Sequence, residues 1–183
     1  GSKEIYAASD GAITFPRRIF LTKLIDPSGN AATLNYDATM RLVSLKDALD
    51  QVSTLDYTLP GDPLKVTRIN DPFGRHADFA YNASGQLIET SDVIGLKSRF
   101  TYGPNAQSPS ASVDFINSLS TPYGTTTFLT GESGTNRWLE AKDPLGDRER
   151  WEFRHLAPGI GGSDPKAPSG ATTDGSARSR PRE

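Results

Sequence analysis

The stretch Asn70–Gly103, NDPFGRHADFAYNASGQLIETSDVIGLKSRFTYG, contains nearly the same sequence twice. Four of its residues recur after a shift of 21 positions: Asp71 with Asp92, Gly74 with Gly95, Phe79 with Phe100, and Tyr81 with Tyr102. A turn and an aromatic pair at a fixed interval indicate an internal repeat, in which every copy builds the same local structure.

The repeat extends through most of the chain. Six copies, repeats 1 to 6, are anchored on the first residue of a D-x-x-G turn or its equivalent: Asp26, Asp47, Asp71, Asp92, Thr121 and Asp143. Eight positions after the anchors stand Leu34, Leu55, Phe79, Phe100, Leu129 and Trp151. Ten positions after them stand Tyr36, Tyr57, Tyr81, Tyr102, Gly131 and Phe153.

The residues after each turn alternate with a period of two. In repeat 3, Ala77, Phe79 and Tyr81 are separated by His76, Asp78 and Ala80. Apolar and mostly polar positions in alternation are typical of a half-buried antiparallel strand. Each repeat therefore predicts strand, turn, strand, turn. The sequence predicts an all-β protein, an antiparallel meander of about twelve strands that forms an open, curved sheet.

The turns follow from side-chain chemistry. Aspartate at the first position accepts bonds from backbone N–H groups, proline presets the next φ, and glycine permits a positive φ at the last position. We therefore predict that these residues have a structural role in turns: Asp26, Gly29, Asp71, Gly74, Asp92, Gly95, Asp143 and Gly146.

Composition divides the chain into three parts. Residues 1–17 are predicted to be an irregular lead-in, and their Gly1-Ser2 start is typical of a cleaved tag, so we expect a piece of a longer protein. Residues 18–156 are predicted to form the repeat sheet, with loops at Thr58–Leu64 and Gly103–Val113. Residues 157–183 are rich in Gly, Pro and Ser, which predicts a disordered tail.

The template x-D-P-x-G-R-x-x-x-F-x-Y-N-x-x-G-Q-L resembles the YD repeat of the RHS family. Its Tyr-Asp pair stands at Tyr36-Asp37 and, in relaxed form, at Tyr81-Asn82. The resemblance covers about residues 18–154. It implies a segment of a β-shell of the bacterial polymorphic-toxin or teneurin type. Such a shell is expected to enclose a C-terminal toxin or other cargo, in a secreted or cell-surface bacterial protein. The implied partners are neighbouring repeats of the parent chain and the enclosed cargo.

The chain also departs from the family pattern. Asp143-Pro144-Leu145-Gly146 is followed by Asp147, whereas bacterial RHS toxins carry Leu at that place in their closing motif. Six repeats are fewer than a complete shell needs, and no toxin domain is evident. The autoproteolysis of some family members has no support in these residues.

Charge and composition exclude several classes of function. The chain has 20 basic and 22 acidic side chains, so it offers no broad basic surface for nucleic acid. It has no cysteine, which excludes disulfides and thiolate metal sites. No run approaches the roughly 18 apolar residues of a membrane span.

Catalytic and metal-binding residues are sparse. The two histidines, His76 and His155, lie far apart in sequence, so we expect no metal site and no cofactor. The turns lack the oxygen ligands of a calcium loop, and Gly131–Gly134 lacks the spacing of a nucleophile elbow. Thr172–Gly175 is similar to an aspartic-protease motif but has no second copy. The sequence predicts that the chain is not an enzyme.

Two features leave alternatives open. Asn82-Ala83-Ser84 is formally a glycosylation sequon, but Asn is also favoured at a turn. The aromatic and apolar ladder is predicted to stabilise the sheet by packing, whereas exposed rings in a row could bind carbohydrate or a cell-surface ligand. The ladder consists of Tyr36, Tyr57, Phe79, Tyr81, Phe100, Tyr102, Trp151 and Phe153. An extracellular adhesion or carbohydrate-binding module is thus the alternative function, and ring exposure discriminates between the two.

Overall fold

The computed structural model describes residues 1–133 and 136–154, and these contain strands but no helix. The thirteen strands are Lys3–Ser9 (β1), Ile19–Ile25 (β2), Ala31–Tyr36 (β3), Leu42–Lys46 (β4), Val52–Asp56 (β5), Arg68–Asn70 (β6), His76–Tyr81 (β7), Leu87–Ser91 (β8), Lys97–Tyr102 (β9), Ile116–Thr121 (β10), Gly124–Ser133 (β11), Asn136–Lys142 (β12) and Arg148–Arg154 (β13).

The strands form one open antiparallel meander in chain order, which confirms the predicted all-β fold class. The chain divides into two compact units, Gly1–Gly95 and Leu96–Glu183. The loops predicted at Thr58–Leu64 and Gly103–Val113 lie between strands. Residues 155 and 156 and the predicted tail at 157–183 fall outside the described residues.

The prediction of an irregular lead-in was wrong for Lys3–Ser9, which form β1 and raise the strand count from about twelve to thirteen. Strand β1 pairs with β2, and Asp10 then starts the connection between them. The Asp10 carboxylate accepts hydrogen bonds from Ala12 N and Arg18 N, both at 3.0 Å. Strand β1 lacks the aromatic pair of the template, and the connection from β1 to β2 is longer than a template turn. The repeat template therefore does not predict β1.

In the first unit, strand pairing sorts the apolar template positions onto one face. Leu34 pairs with Leu45, Leu55 pairs with Ile69, and Phe79 lies two residues after Ala77, the other partner of Ile69. Residues opposite each other in an antiparallel pair share a face, as do residues two apart on a strand. The period-two pattern therefore predicts this face correctly.

The other face of the first unit is held by polar pairs across neighbouring strands. Arg68 donates to Asp78 at 2.6 Å, and Asn70 donates from Nδ2 to Thr54 and Asp56, both at 3.1 Å. Cross-strand pairs of this kind stabilise a sheet by roughly 0.2 to 1 kcal/mol each. Side-chain chemistry on this face thus reinforces the register that the apolar face favours.

The sheet has almost no interior. Among residues whose side chains the structure describes, only Gly103 and Ser108 are buried. Large apolar side chains on the strands are half-buried or exposed, since no second layer covers them within the described residues. A sheet that buries one face normally packs on another layer.

In the second unit, the loop after β9 covers part of an unpaired strand edge. Strand β10 pairs with β11 only as far as Thr127, so the later residues of β11 have no strand on that side. Ser108 fills the gap, because its buried hydroxyl accepts a hydrogen bond from Thr130 N at 2.8 Å. The long interval between repeats 4 and 5 therefore has a structural role.

Repeat 5 of the second unit does not follow the template. Leu129 and Gly131 were assigned to the apolar face, and this assignment was wrong. Phe128 lies two residues before Thr130, which pairs with Leu139, and Leu139 pairs with Trp151. Phe128 therefore shares a face with Trp151, whereas Leu129 pairs with Glu140 on the other face.

Candidate functional site

The repeated element of this protein is a turn built around one carboxylate. In repeat 1, Asp26 Oδ1 accepts hydrogen bonds from Ser28 N at 2.8 Å and from Asn30 N at 2.9 Å. Gly29 N donates to Asp26 O at 3.1 Å, and Asp26 N donates to Asn30 O at 2.9 Å. One side chain thus satisfies two backbone N–H groups and joins the two strands across five residues.

The same arrangement recurs along the chain. In these turns the Oδ1 atom of the first residue accepts hydrogen bonds from the backbone N–H groups two and four positions later. The first residues are Asp26, Asp37, Asp47, Asp71, Asn82 and Asp143. At Asp92 the bond from Ile94 N has the same geometry, at 2.9 Å. At Asn82 the amide oxygen accepts the two backbone bonds, and Nδ2 donates to Gln86 Oε1. The side chain of the sequon is therefore hydrogen-bonded within the turn.

The last residue of each turn has a left-handed backbone. Positive φ angles were predicted at Gly29, Gly74, Gly95 and Gly146, and they are 91°, 80°, 83° and 99°. Two turns place other residues in this conformation, Met40 at 63° and Asp50 at 62°. Only glycine adopts this region without steric cost, so the glycine of D-x-x-G follows from the turn geometry.

The second carboxylate oxygen binds the side chain at the end of the turn. Arg75 Nε donates to Asp71 Oδ2 at 2.5 Å, and Arg41 Nε donates to Asp37 Oδ2 at 2.6 Å. The Arg41 backbone N–H, aided by the Thr39 and Arg41 side chains, holds the pKa of Asp37 well below its usual value. The Asn30 amide likewise lowers the pKa of Asp26. At Asp71 burial acts to raise the pKa, but hydrogen bonds from Arg75 and Phe73 outweigh it and lower the pKa.

The turn of repeat 5 is different, because Thr121 pairs directly with Gly124 and leaves only two residues between them. Tyr123 N donates to Thr121 Oγ1 at 3.2 Å, and no bond from a fifth residue extends the turn. The turn is one residue shorter than the aspartate turns, so β11 enters the sheet one position earlier. A shift of one residue moves every side chain to the opposite face.

Hydrogen bonds of the tyrosine hydroxyl groups explain why tyrosine stands at a fixed distance in sequence after its turn. The hydroxyl groups of Tyr36, Tyr57 and Tyr81 donate to the carbonyl oxygens of Leu21, Leu42 and Val66, at 2.7, 2.7 and 2.8 Å. Each acceptor lies 15 residues before its tyrosine. We call these three pairs the tyrosine brackets.

The brackets join strands beyond the end of their regular pairing. Strands β6 and β7 pair from Asn70 and His76 to Arg68 and Asp78. The Tyr81 hydroxyl then reaches Val66 O, two residues before Arg68 in the chain and beyond the last strand pair. The bracket therefore closes the open end of a hairpin whose other end is held by the aspartate turn.

The tyrosine rings are not open platforms. The Arg41 guanidinium lies 4.8 Å from the ring centre of Tyr57, and Lys65 Nζ lies 5.6 Å from that of Tyr81. Burial raises the pKa of both hydroxyls. Among the described residues, the one ring–ring contact within the packing distance is between Phe20 and Tyr36, at 5.5 Å. The tyrosines therefore act through hydroxyl–carbonyl bonds and cations rather than by stacking on one another.

The rest of the ladder lies on strands with apolar partners in most cases. Phe79 and Phe100 are half-buried, and Phe100 pairs with Leu119. Tyr102, also half-buried, pairs with Ile116. In the last strand Trp151 pairs with Leu139 and Phe153 pairs with Arg137, and both rings are exposed.

In repeat 5 the template position of the tyrosine is Gly131, and an indole packs over it on the face of Leu129. Gly131 is paired with Trp138, and a Cβ added to Gly131 would lie 2.6 Å from the Trp138 ring. The Arg150 guanidinium covers the indole at 4.3 Å from the ring centre. Sequence analysis missed this contact because the aromatic residue comes from the neighbouring strand rather than from the template position.

The structure shows few groups suited to chemistry. His76 Nε2 lies 3.5 Å from Asp78 Oδ2, but both side chains are exposed to solvent. In the described part of the chain, no three His, Asp or Glu side chains form a group that could hold a metal ion. His155, Gly134 and Thr172–Gly175 lie outside those residues.

Each unit has a groove in the part of the chain that the structure describes. The groove of the first unit, about 430 Å³, is bordered by β1, β2 and the turns beside them, including Leu24, Asp26 and Ala32. That of the second unit, about 500 Å³, lies between the Ser110–Phe115 loop segment and β11. Its charged residues, Glu132 and Arg137, pair with each other at 2.5 Å.

No helix in the described residues is long and apolar enough to cross a membrane. A comparison with models of known protein families finds no match to this chain. No curated protein matches its sequence either.

Proposed function

We propose that this chain is a structural wall segment, a run of RHS/YD-type repeats that forms part of a β-shell around a C-terminal toxin or other cargo. Secretion or display at a bacterial cell surface is part of the proposal. The observation that carries it is the tyrosine bracket, which recurs at a fixed separation of 15 residues together with the aspartate turn.

The recurrent side chains are used to hold the sheet together. Asp71 accepts bonds from its turn, Tyr81 donates to Val66, and Arg68 pairs with Asp78 on the polar face. Residues that recur in every repeat serve what every repeat needs, which is the turn and the strand pairing. This use of the polar groups supports a structural role over an enzymatic one.

The thin architecture supports the same function. A wall needs a continuous sheet with two faces, and the first unit presents one apolar and one polar face with nothing layered on either within the described residues. Such a sheet gains stability from its neighbours along the array, since each repeat contacts mainly the next. The apolar face supplies a surface against which cargo or further wall could pack.

Carbohydrate binding receives less support. A sugar platform needs ring faces open to water, but Tyr57 and Tyr81 are half-buried, covered by cations and bonded through their hydroxyls. The adhesion alternative is left with the two exposed rings at the end of the ladder, Trp151 and Phe153.

Electron microscopy of the complete natural protein that contains this chain tests the proposal. We expect a hollow particle whose wall includes this sheet and which holds additional density inside. A solid domain or an extended rod without a cavity would exclude the container function. Glycan-array binding that is lost in a Tyr57→Phe and Tyr81→Phe variant would favour the adhesion alternative instead.

A further inference from the structure

One end of the first unit carries a row of exposed apolar side chains. The strand connections at this end are 26–30, 47–51, 71–75 and 92–95, and together they are called the acidic rim. The third residues of the last three turns are Leu49, Phe73 and Ile94, which are 66% to 77% exposed. These three side chains project from turns and not from a face of the sheet. The alternation of apolar and polar residues along the strands therefore does not explain why they are apolar.

The opposite end of the same unit also exposes apolar side chains. Its connections are 10–18, 37–41, 57–67 and 82–86, and together they are called the basic rim. Ile13, Phe15 and Leu64 lie in two of these connections and are 71% to 95% exposed. The two rims of one sheet therefore both present apolar side chains to solvent.

The rims differ in charge. The acidic rim contains five aspartates and one arginine: Asp26, Asp47, Asp50, Asp71, Asp92 and Arg75. The basic rim contains four basic and three acidic residues: Arg17, Arg18, Arg41, Lys65, Asp10, Asp37 and Asp62. The formal charges are thus −4 and +1. Opposite charge on two apolar surfaces favours contact between them and orients that contact.

The rims also share a spacing. Connections on one rim are two strands apart, which corresponds to about 10 Å. A second copy placed end to end presents connections at the same interval, whereas an unrelated protein has no reason to match it. Several turns of one copy can therefore contact several connections of the next at once.

We propose that the acidic rim of the first unit docks on the basic rim of a second copy of this chain, with the exposed leucine, isoleucine and phenylalanine side chains buried between them. This goes beyond the wall function, because it concerns contacts between separate copies. The contact joins two different surfaces, so it leaves a free rim at each end. Association of this type continues into a series of larger species instead of stopping at a dimer.

The charge of the acidic rim distinguishes this partner from a membrane. Exposed apolar side chains on loops can insert into a bilayer, but anionic lipid repels a surface that stays negative, at −3, when Lys46, which pairs with Asp50 at 2.7 Å, is counted with it. Hydrogen bonding of Asp26 and Asp71 lowers their pKa values, so these carboxylates stay ionised at neutral pH. The observations favour a protein surface with basic residues over lipid.

Sedimentation velocity of the whole chain over a range of concentrations tests the proposal. We expect reversible association that extends beyond dimers and weakens as salt is raised, because salt screens the charges. The triple variant Leu49→Ser, Phe73→Ser and Ile94→Ser should weaken association by about tenfold or more, since it removes apolar area from one rim. Circular dichroism checks that the variant is folded.

A charge variant and an edge variant serve as controls. Asp47 Oδ1 accepts hydrogen bonds from Leu49 N and Gln51 N, and Asn82 forms the same turn with an amide, so Asp47→Asn removes a rim charge and keeps the turn. It should strengthen association if lipid or an acidic surface is the partner, and weaken it in the proposed contact. Tyr6→Lys on strand β1 tests pairing between sheet edges and should leave rim contact unchanged.

A chain that stays monomeric at all concentrations would overturn the proposal. So would association that is insensitive to the triple variant but lost in Tyr6→Lys, which would assign self-association to the sheet edge. Binding to vesicles of phosphatidylcholine and phosphatidylserine that requires Leu49, Phe73 and Ile94, without self-association, would assign the rim to membranes and would equally exclude it. None of these results depends on whether the natural protein forms a shell.

Discussion

Repeats 3 and 5 start from similar sequences, Asp71-Pro72-Phe73-Gly74 and Thr121-Pro122-Tyr123-Gly124, and build different turns. In the first, the carboxylate binds two backbone N–H groups and the turn closes over five residues, from Asp71 to Arg75. In the second, the hydroxyl binds one N–H and the turn closes over four residues, from Thr121 to Gly124. The difference of one residue places Phe128, instead of Leu129, on the face of Trp151.

The comparison shows how much depends on the number of acceptors at the anchor. Asp71 has two carboxylate oxygens, one for the backbone and one for Arg75. Thr121 has a single hydroxyl, which Tyr123 N uses and which itself donates to Gly124 O. A turn with fewer acceptors closes earlier, and the register of the following strand shifts with it.

The largest expected effect is at the glycine that ends the shorter turn. Gly124 has φ of 127°, and a Cβ on it would lie 2.5 Å from Pro144 Cβ. Gly124→Ala should lower the free energy of unfolding by about 3 kcal/mol or more, through backbone strain and a clash with a rigid ring. Urea unfolding measures the change.

Gly74→Ala is the matched control for that substitution. Gly74 has φ of 80°, but nothing lies within 4 Å of its added Cβ. Its cost should be about 1 to 2 kcal/mol, from the left-handed backbone alone. Equal losses in the two variants would contradict the distinction between the turns.

The register of β11 can be tested by comparing adjacent side chains. Phe128→Ser should lower the free energy of unfolding by about 2 kcal/mol, because Phe128 lies on the apolar face. Leu129→Ser should cost less, about 1 kcal/mol, because Leu129 is smaller and pairs with Glu140 on the opposite face, which also carries Trp138. The repeat template predicts the reverse order, so thermal or urea unfolding of the two variants decides between template and structure.

A smaller effect is expected from the tyrosine bracket, which repeat 3 has and repeat 5 lacks. Tyr81→Phe removes the bond to Val66 O and should cost about 1 kcal/mol of unfolding free energy. Tyr123→Phe provides the control, since Tyr123 is 83% exposed on the shorter turn. A Tyr81→Phe variant as stable as the unmodified chain would show that the bracket contributes nothing measurable.

The smallest effect concerns pH, because aspartate turns titrate and the Thr121 turn does not. Asp26, Asp37 and Asp71 have folded-state pKa values below the unfolded value of about 3.9. Their contribution to stability is therefore complete above about pH 4, and it is lost as the pH falls from there through the folded-state values.

Unfolding free energies measured from pH 7 to pH 2 check this direction. We expect little change down to about pH 5 and a decline below about pH 4. Asp37→Asn should decline less steeply, because Asn82 shows that an amide can form the same turn without titrating. A variant as acid-sensitive as the parent chain would exclude Asp37 as a source of the effect.

Much of the fold could be predicted because local chemistry dictates it. The aspartate and glycine of each turn, the alternation of Ala77, Phe79 and Tyr81, and the two long loops all appear in the structure. These features need only neighbours in sequence. The prediction failed at β1, where the aromatic pair is absent, and at β11, where the turn length altered the register.

The sequence predicted which turn and tyrosine positions recur, but not how the tyrosine side chains hold the strands together. The tyrosines were expected to pack, and their hydroxyl bonds to carbonyl oxygens 15 residues earlier were not foreseen, although that separation is constant in the template. The contact of Gly131 with Trp138 and the burial of Ser108 could not be found in this way, because each depends on a residue supplied by another segment.

The sequence by itself determined the repeat, the strand type and the chemistry of the aspartate turns, since all three arise from interactions within a few residues. The tertiary structure alone decided which face each side chain of β11 occupies, which carbonyl each tyrosine reaches, and which apolar residues remain exposed at the rims. These depend on how distant segments pair, and in a sheet a single residue of offset exchanges one face for the other.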